Sequence, residues 1–187
     1  MGHSFIVFNF EDGKSVSISI EARRQVGQDY KAIKKGLFND YEVWYAFGSP
    51  ADFMTRRAVY NHEDLYQYPL LISTTTVRGL FVDLSTTARS LETKPAFYNT
   101  VSSNCTNLLA DSANRVNKGS IPWNISRLFT GYADNQLYDL GLIPHSKPFD
   151  QIYKDSRIDE KIRAVYEGNT TFSKESFLDQ FVANSLN

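Results

Sequence analysis

Apolar and polar residues alternate from the third position of the chain. Residues 3–10 (HSFIVFNF) and 15–23 (SVSISIEAR) both carry the two-residue period of a strand. Between them, Glu11-Asp12-Gly13 suits a type I turn followed by a left-handed glycine. That turn sets the register. Ile6, Phe8 and Phe10 share one face with Val16, Ile18 and Ile20, while His3, Ser17, Ser19 and Glu21 share the other. A slip of one residue would mix the two sets, so the apolar pattern selects this pairing. It places Glu21 directly opposite His3.

Residues 24–40 read as a polar connection. Residues 41–47 form a third strand with Tyr41, Val43, Tyr45 and Phe47 on one face, closed by Gly48-Ser49-Pro50. A short helix is expected over 51–60. Residues 64–72 read as a further strand, with Pro69 pointing to an edge. Val77, Leu80, Phe81, Leu84, Ala88 and Leu91 recur at helical spacing and predict a helix over 74–92, with Pro95 just beyond it. Residues 95–104 read as a polar-aromatic loop. A second helix is expected over 105–117, with Asn104 as N-cap and Gly119 closing it. Turns then dominate, with short helices expected near 124–130, 156–166 and 173–184. The pattern predicts an α+β fold in which an antiparallel sheet packs against helices. It reads as one domain over residues 1–187, with a core at about 3–120 and a helical tail at about 121–187 packed around it.

Composition narrows the function. A net charge of −1 gives no bulk attraction to nucleic acid or anionic lipid. No apolar run approaches the ~18 residues of a membrane span, and no charged-then-apolar leader is present. Met1-Gly2-His3 runs straight into strand-like sequence, as expected of a mature or trimmed chain, so the missing leader does not imply a cytoplasmic home. One cysteine excludes an internal disulfide. CxxC, HExxH, P-loop, GxGxxG and GxSxG patterns are all missing, which argues against a metal site or a bound cofactor. Asn-x-Ser/Thr sequons at Asn104, Asn124 and Asn169 matter only in a eukaryotic secretory setting.

The single cysteine, Cys105, opens the second helix. A thiol there meets unpaired backbone N–H groups and the positive end of the helix dipole, and both favour the nucleophilic thiolate. His3 is the matching base, Glu21 the group that would fix its ring, and Ser19 the fallback for that task. The Cys105 N–H is the expected donor to an oxyanion, with the Asn104 side chain as a weaker second. Plainer readings exist for each residue. Cysteine often fills cores. A Met-Gly-His beginning is also common in expression-vector sequence. Glu21 has Arg23, Arg24 and Arg56 as surface partners, and Ser17 and Ser19 suit a solvent face. His62, in an exposed turn, is the rival base, and His145 follows behind it.

The chain resembles the bacterial Lnb N-terminal periplasmic domain family, named for the lyso-form lipoprotein intramolecular transacylase. The matching stretches are His3-Ser4-Phe5, Ser19 to Arg24, Tyr41-Glu42-Val43, Asp52 with Arg56, Leu65-Tyr66, Pro95 to Thr100, and Asn104-Cys105-Thr106. The resemblance covers most of residues 3–160. The resemblance implies a papain-like, NlpC/P60-related fold of the circularly permuted type, with the histidine strand before the cysteine helix. It implies His3 and Cys105 as the catalytic pair and a location outside the cytoplasmic membrane. The activity expected is cysteine-dependent acyl transfer to a lipoprotein N-terminus from a phospholipid acyl chain. Peptidoglycan peptide cleavage is the alternative, and a non-catalytic envelope binding module the second. Arg23, Arg56 and Tyr98 are the expected substrate contacts. Lnb itself resembles this domain joined to a multi-span membrane region, which this chain does not carry. Association with a membrane surface and the oligomeric state are left open.

Overall fold

The computed structural model describes residues 2–23, 41–123 and 130–168. The expected connection over 24–40, most of the helix near 124–130, the helix near 173–184, Arg24 and two sequons (Asn124, Asn169) lie outside the described residues. The fold is α+β. Strands β1 (Phe5–Asn9), β2 (Ser15–Arg23), β3 (Tyr41–Gly48) and β4 (Phe97–Tyr98) form an antiparallel sheet in the order β1-β2-β3-β4. The helices are α1 (Pro50–Thr55), α2 (Thr74–Ser90), α3 (Cys105–Val116), α4 (Ala133–Asp139), α5 (Phe149–Asp155) and α6 (Asp159–Gly168). A π-helical turn over Arg56–Tyr60 continues α1, and a 3-10 turn over Thr130–Tyr132 precedes α4.

The chain folds into two compact units interleaved in sequence. The first holds Met1–Ile6, Ile18–Phe47 and Ile72–Gln136; the second holds Val7–Ser17, Gly48–Leu71 and Leu137–Asn187.

In the first unit, β4 pairs with β3 through Tyr41 opposite Tyr98 and Glu42 opposite Phe97. Tyr41, Val43 and Tyr45 are buried as their alternation requires, whereas Phe47 at the strand end is exposed. Ser73 caps α2 by accepting from the Thr76 N–H at 3.2 Å. Leu80 and Leu84 are the buried residues of its apolar stripe. Helices α2 and α3 approach closely at Gly79, where a Cβ would stand 2.7 Å from a methyl of Val116. Arg115 ties the pair together, donating to both Asp83 carboxylate oxygens at 2.9 and 2.7 Å. The segment before α3 is not loop throughout: Phe97 and Tyr98 form β4. Two residues of strand are too short to show a period.

In the second unit lies the turn that sets the hairpin register. Phe10 N–H donates to the Lys14 carbonyl at 2.9 Å, and Gly13 adopts a φ of +77°. Ser49 caps α1 ahead of Pro50, accepting from the Asp52 N–H at 3.1 Å. The strand expected over 64–72 is not one. Tyr66 makes a single bridge to Arg157, and Gln67 and Leu71 N–H groups donate to the carbonyls of Ser156 and Leu142. Pro69 lacks a ladder donor, and these partners are isolated turns rather than a neighbouring strand. The core of this unit includes Met54, Ala58, Ile143, Ile152 and Ile162. It also buries the Asp159 carboxylate, which accepts from Arg157, Arg163 and the Leu65 N–H, so the charge is paired as burial demands. The tail is richer in helix than its turn signals suggest, since α4 and α5 join the expected α6.

Candidate active site

The site forms in the first unit, where the open end of the hairpin meets the start of α3. Asn104 is the N-cap of that helix. Its side-chain oxygen accepts from the Asn107 N–H at 2.8 Å, and its amide donates to the Thr100 carbonyl at 3.0 Å. Asn107 donates in turn to the Val101 carbonyl at 2.8 Å. Asn99 closes the other side of the loop, accepting from the Val101 and Ser102 N–H groups at 2.9 and 3.1 Å. Three asparagines thus satisfy the backbone of residues 99–104 and hold the start of α3 in place. Asn104 is buried, so its sequon is closed to modification in the folded chain.

Cys105 is the first residue of α3 and only 1% exposed. Its sulfur is hydrogen-bonded to the His3 ring, the Ser4 backbone N–H and the Thr106 hydroxyl. Burial pushes the thiol pKa up and is the largest single effect. The His3 hydrogen bond, the charge on His3 and the two other donors together outweigh it, and the thiol lies below its ordinary value.

His3 stands across the hairpin from Glu21, as the turn register requires. Its Nε2 lies 2.7 Å from the Ser19 hydroxyl oxygen and 3.1 Å from Glu21 Oε1. Ser19 donates its own proton to Glu21 Oε1 at 2.8 Å. Burial opposes a charge on the ring and is again the largest effect. Hydrogen bonds to Cys105 and Glu21, with the negative charge of each, overcome it and raise the His3 pKa to about 9. A histidine pushed up beside a thiol pushed down is the arrangement that favours moving the proton from sulfur to ring.

The remaining expected residues fall in different places. Ser17 and Ser19 are fully buried, which corrects the solvent-face reading: β2 is covered on both faces from Ser17 to Ile20. Tyr98, expected to contact substrate, is buried, and its hydroxyl accepts from the Cys105 N–H at 3.4 Å. The N–H expected to serve an oxyanion therefore already faces a phenol oxygen. Arg23 pairs with Glu42 at 3.1 Å on the surface. Arg56 is exposed at the start of the π-helical turn in the second unit. His62 and His145 also belong to the second unit and are exposed. Gly119 does not close α3. Asn117 is the C-cap, and Gly119 takes its positive φ in the turn beyond. Ser4 and Thr106 were missed as thiol partners, although each adjoins a residue singled out from the sequence.

Among the described residues no group of His, Cys, Asp and Glu is arranged to hold a metal, and no helix is long and apolar enough to cross a membrane. The family model of the Lnb N-terminal periplasmic domain matches residues 1–131, a span that contains every residue of this site. Neither the comparison with curated proteins nor that with solved structures gave a match.

Proposed function

The chain belongs to the Lnb N-terminal periplasmic domain family, and on that premise we propose that it is a cysteine-dependent acyl enzyme of the bacterial cell envelope. The observation that carries this reading is the hydrogen-bonded Cys105–His3 pair, with the two pKa values displaced in opposite directions. The Cys105 thiolate attacks an ester carbonyl. The tetrahedral oxyanion forms, then collapses to a thioester as the leaving oxygen takes the proton from His3. An incoming amine attacks the thioester and gives a proton to His3 as the C–S bond breaks, leaving an amide, the Cys105 thiolate and a protonated His3. Water in place of the amine gives hydrolysis. Ser19 and Glu21 hold the ring through Nε2 and so fix its orientation. The Cys105 N–H donates to the Tyr98 hydroxyl, so the Tyr98 proton is the one left to offer an oxyanion.

The acyl donor we favour is a phospholipid or lipoprotein ester, and the acceptor a lipoprotein N-terminal amine. The family resemblance supports this choice. A peptidoglycan peptide is the alternative. It is less supported because Arg23 is already paired with Glu42, while gripping a peptide carboxylate calls for an available guanidinium. The architecture we favour is the permuted papain-like one, in which the histidine strand precedes the cysteine helix. A second reading, a non-catalytic binding module, is favoured by one observation, the burial of the thiol.

The pH dependence of Cys105 alkylation by iodoacetamide, in wild type and His3→Ala, tests the pair. Wild type is expected to react with an apparent pKa well below the ~8.5 of free cysteine, and His3→Ala to lose that displacement. Assays with a lyso-form lipopeptide and with a muropeptide then separate the two substrate classes. A thiol that stays inert from pH 6 to 9 in both proteins favours the binding module and defeats the enzyme reading.

A further inference from the structure

Two of the groups that hold the sulfur stand outside the sheet. β1 begins at Phe5, so His3 and Ser4 precede the strand, as does Gly2. Yet the His3 ring and the Ser4 N–H both contact Cys105. A short segment ahead of a strand is held only as well as its own contacts hold it. The Thr130 hydroxyl donates to the Gly2 carbonyl at 2.5 Å, across 128 positions of sequence. The two backbones also touch at a pair of glycines. A Cβ placed on Gly2 would lie 2.8 Å from both the Gly131 Cα and its nitrogen, and 2.9 Å from the Thr130 carbonyl carbon. A side chain at Gly2 would force the segments apart. Thr130 is buried and Gly2 half-buried, so their bond lies largely inside the fold.

We propose that Thr130 and Gly131 are positioning residues that clamp the backbone at Gly2 and so aim the His3 ring at Cys105. The proposal rests on the Cys105–His3 pairing read above. The clamp acts one residue before the base and two before the Ser4 N–H, so a small displacement of Gly2 moves these two partners of the sulfur together. It touches neither the sulfur nor the reacting carbonyl. Its effect should therefore appear in the titration of the pair. The contact joins the residue ahead of His3 to a turn that follows α3, and it calls for a hydroxyl at 130 and for no side chain at 2.

The test compares wild type, Thr130→Val, Thr130→Ser, Gly2→Ala and His3→Ala in one experiment. Iodoacetamide alkylation of Cys105 is followed from pH 5 to 10, with circular dichroism and thermal melting recorded for each protein. Thr130→Val and Gly2→Ala are expected to raise the apparent thiol pKa by about one unit, a tenfold loss of thiolate in the acid range. Thr130→Ser, which keeps the donor, is expected to titrate like wild type. If His3→Ala shifts the profile while folded Thr130→Val and Gly2→Ala do not, the clamp is wrong and the pair stands. If Thr130→Ser shifts as far as Thr130→Val, the hydroxyl bond is not what positions the segment, and the clamp is again wrong. If His3→Ala leaves the profile unchanged, the pairing itself fails and takes the clamp with it.

Discussion

The His3 ring bonds the Ser19 hydroxyl at 2.7 Å, a closer approach than the 3.1 Å between the same nitrogen and Glu21. A charged ring can only donate, so the Ser19 oxygen accepts and its own proton is left for Glu21. The group that orients the base is thus a hydroxyl backed by a carboxylate, and the two are expected to fail differently. Ser19→Ala removes the nearer acceptor but keeps the charge, so neutral-pH alkylation of Cys105 should fall about tenfold while His3 still titrates high. Glu21→Gln removes the charge, so the His3 pKa should drop from about 9 toward 6.5. NMR titration of the His3 ring protons in both variants checks this. Two variants that titrate alike would show that hydroxyl and carboxylate act as one group.

The pair also makes stability depend on pH. The His3 pKa is raised from 6.5 to about 9, so the folded state holds its proton more tightly than the unfolded chain. That contribution is complete below pH 6.5 and is lost as pH rises through about 9. Cys105 moves the other way. Its contribution is present above the thiol's ordinary value and is lost as pH falls through the lowered one. Both shifts arise from the same contact, and between pH 7 and 9 the two contributions change in opposite directions and offset each other. The melting temperature of wild type should therefore fall less between pH 7 and 10 than that of His3→Gln, whose buried thiol has lost its base, measured by scanning calorimetry. Parallel curves would mean that the ring carries no charge in the folded protein at neutral pH.

Asn104 separates folding from chemistry. Its oxygen caps α3 and its amide holds Thr100. Asn104→Ala should cost about 1–2 kcal/mol of stability, the usual loss for an N-cap. Asn104→Asp keeps the capping oxygen and sets a carboxylate beside the sulfur. It should unfold at higher urea concentration than Asn104→Ala, yet show a thiol pKa above that of wild type. Urea unfolding and alkylation profiles measured on the two variants test both halves. A thiol in Asn104→Asp that titrates like wild type would place the new charge too far from the sulfur to matter.

Much of the fold was legible because its signals are local. The β1–β2 hairpin is written in a two-residue period and a turn ending in Gly13, and Phe10 meets Lys14 as that turn requires. Helices α2 and α3 follow from apolar spacing, and Asn104 from its capping chemistry. β4 was not legible, because two residues cannot display a period. The segment from Asp64 to Ile72 misled for the opposite reason. It is extended and apolar enough to resemble a strand, but what it pairs with is set by distant turns. The burial of Ser17 and Ser19 was likewise hidden, since short polar residues suit an exposed face until another element covers them.

The same division runs through the site. The sequence by itself determined that a lone thiol opens a helix and that a histidine faces a carboxylate across a hairpin, because each depends on residues close together in the chain. Only the tertiary structure decided that those two places are one. It carried the Cys105 sulfur to the His3 ring across the fold, put Thr106 and Ser4 beside it, turned the Tyr98 hydroxyl toward the Cys105 N–H, and anchored Gly2 on Thr130. These contacts join residues up to 128 positions apart, and several are made by backbone atoms that every residue possesses. Periodicity and capping report the chain's neighbourhood along its length. The shifts of His3 and Cys105 arise from charges and donors brought together in space, and no local pattern encodes them.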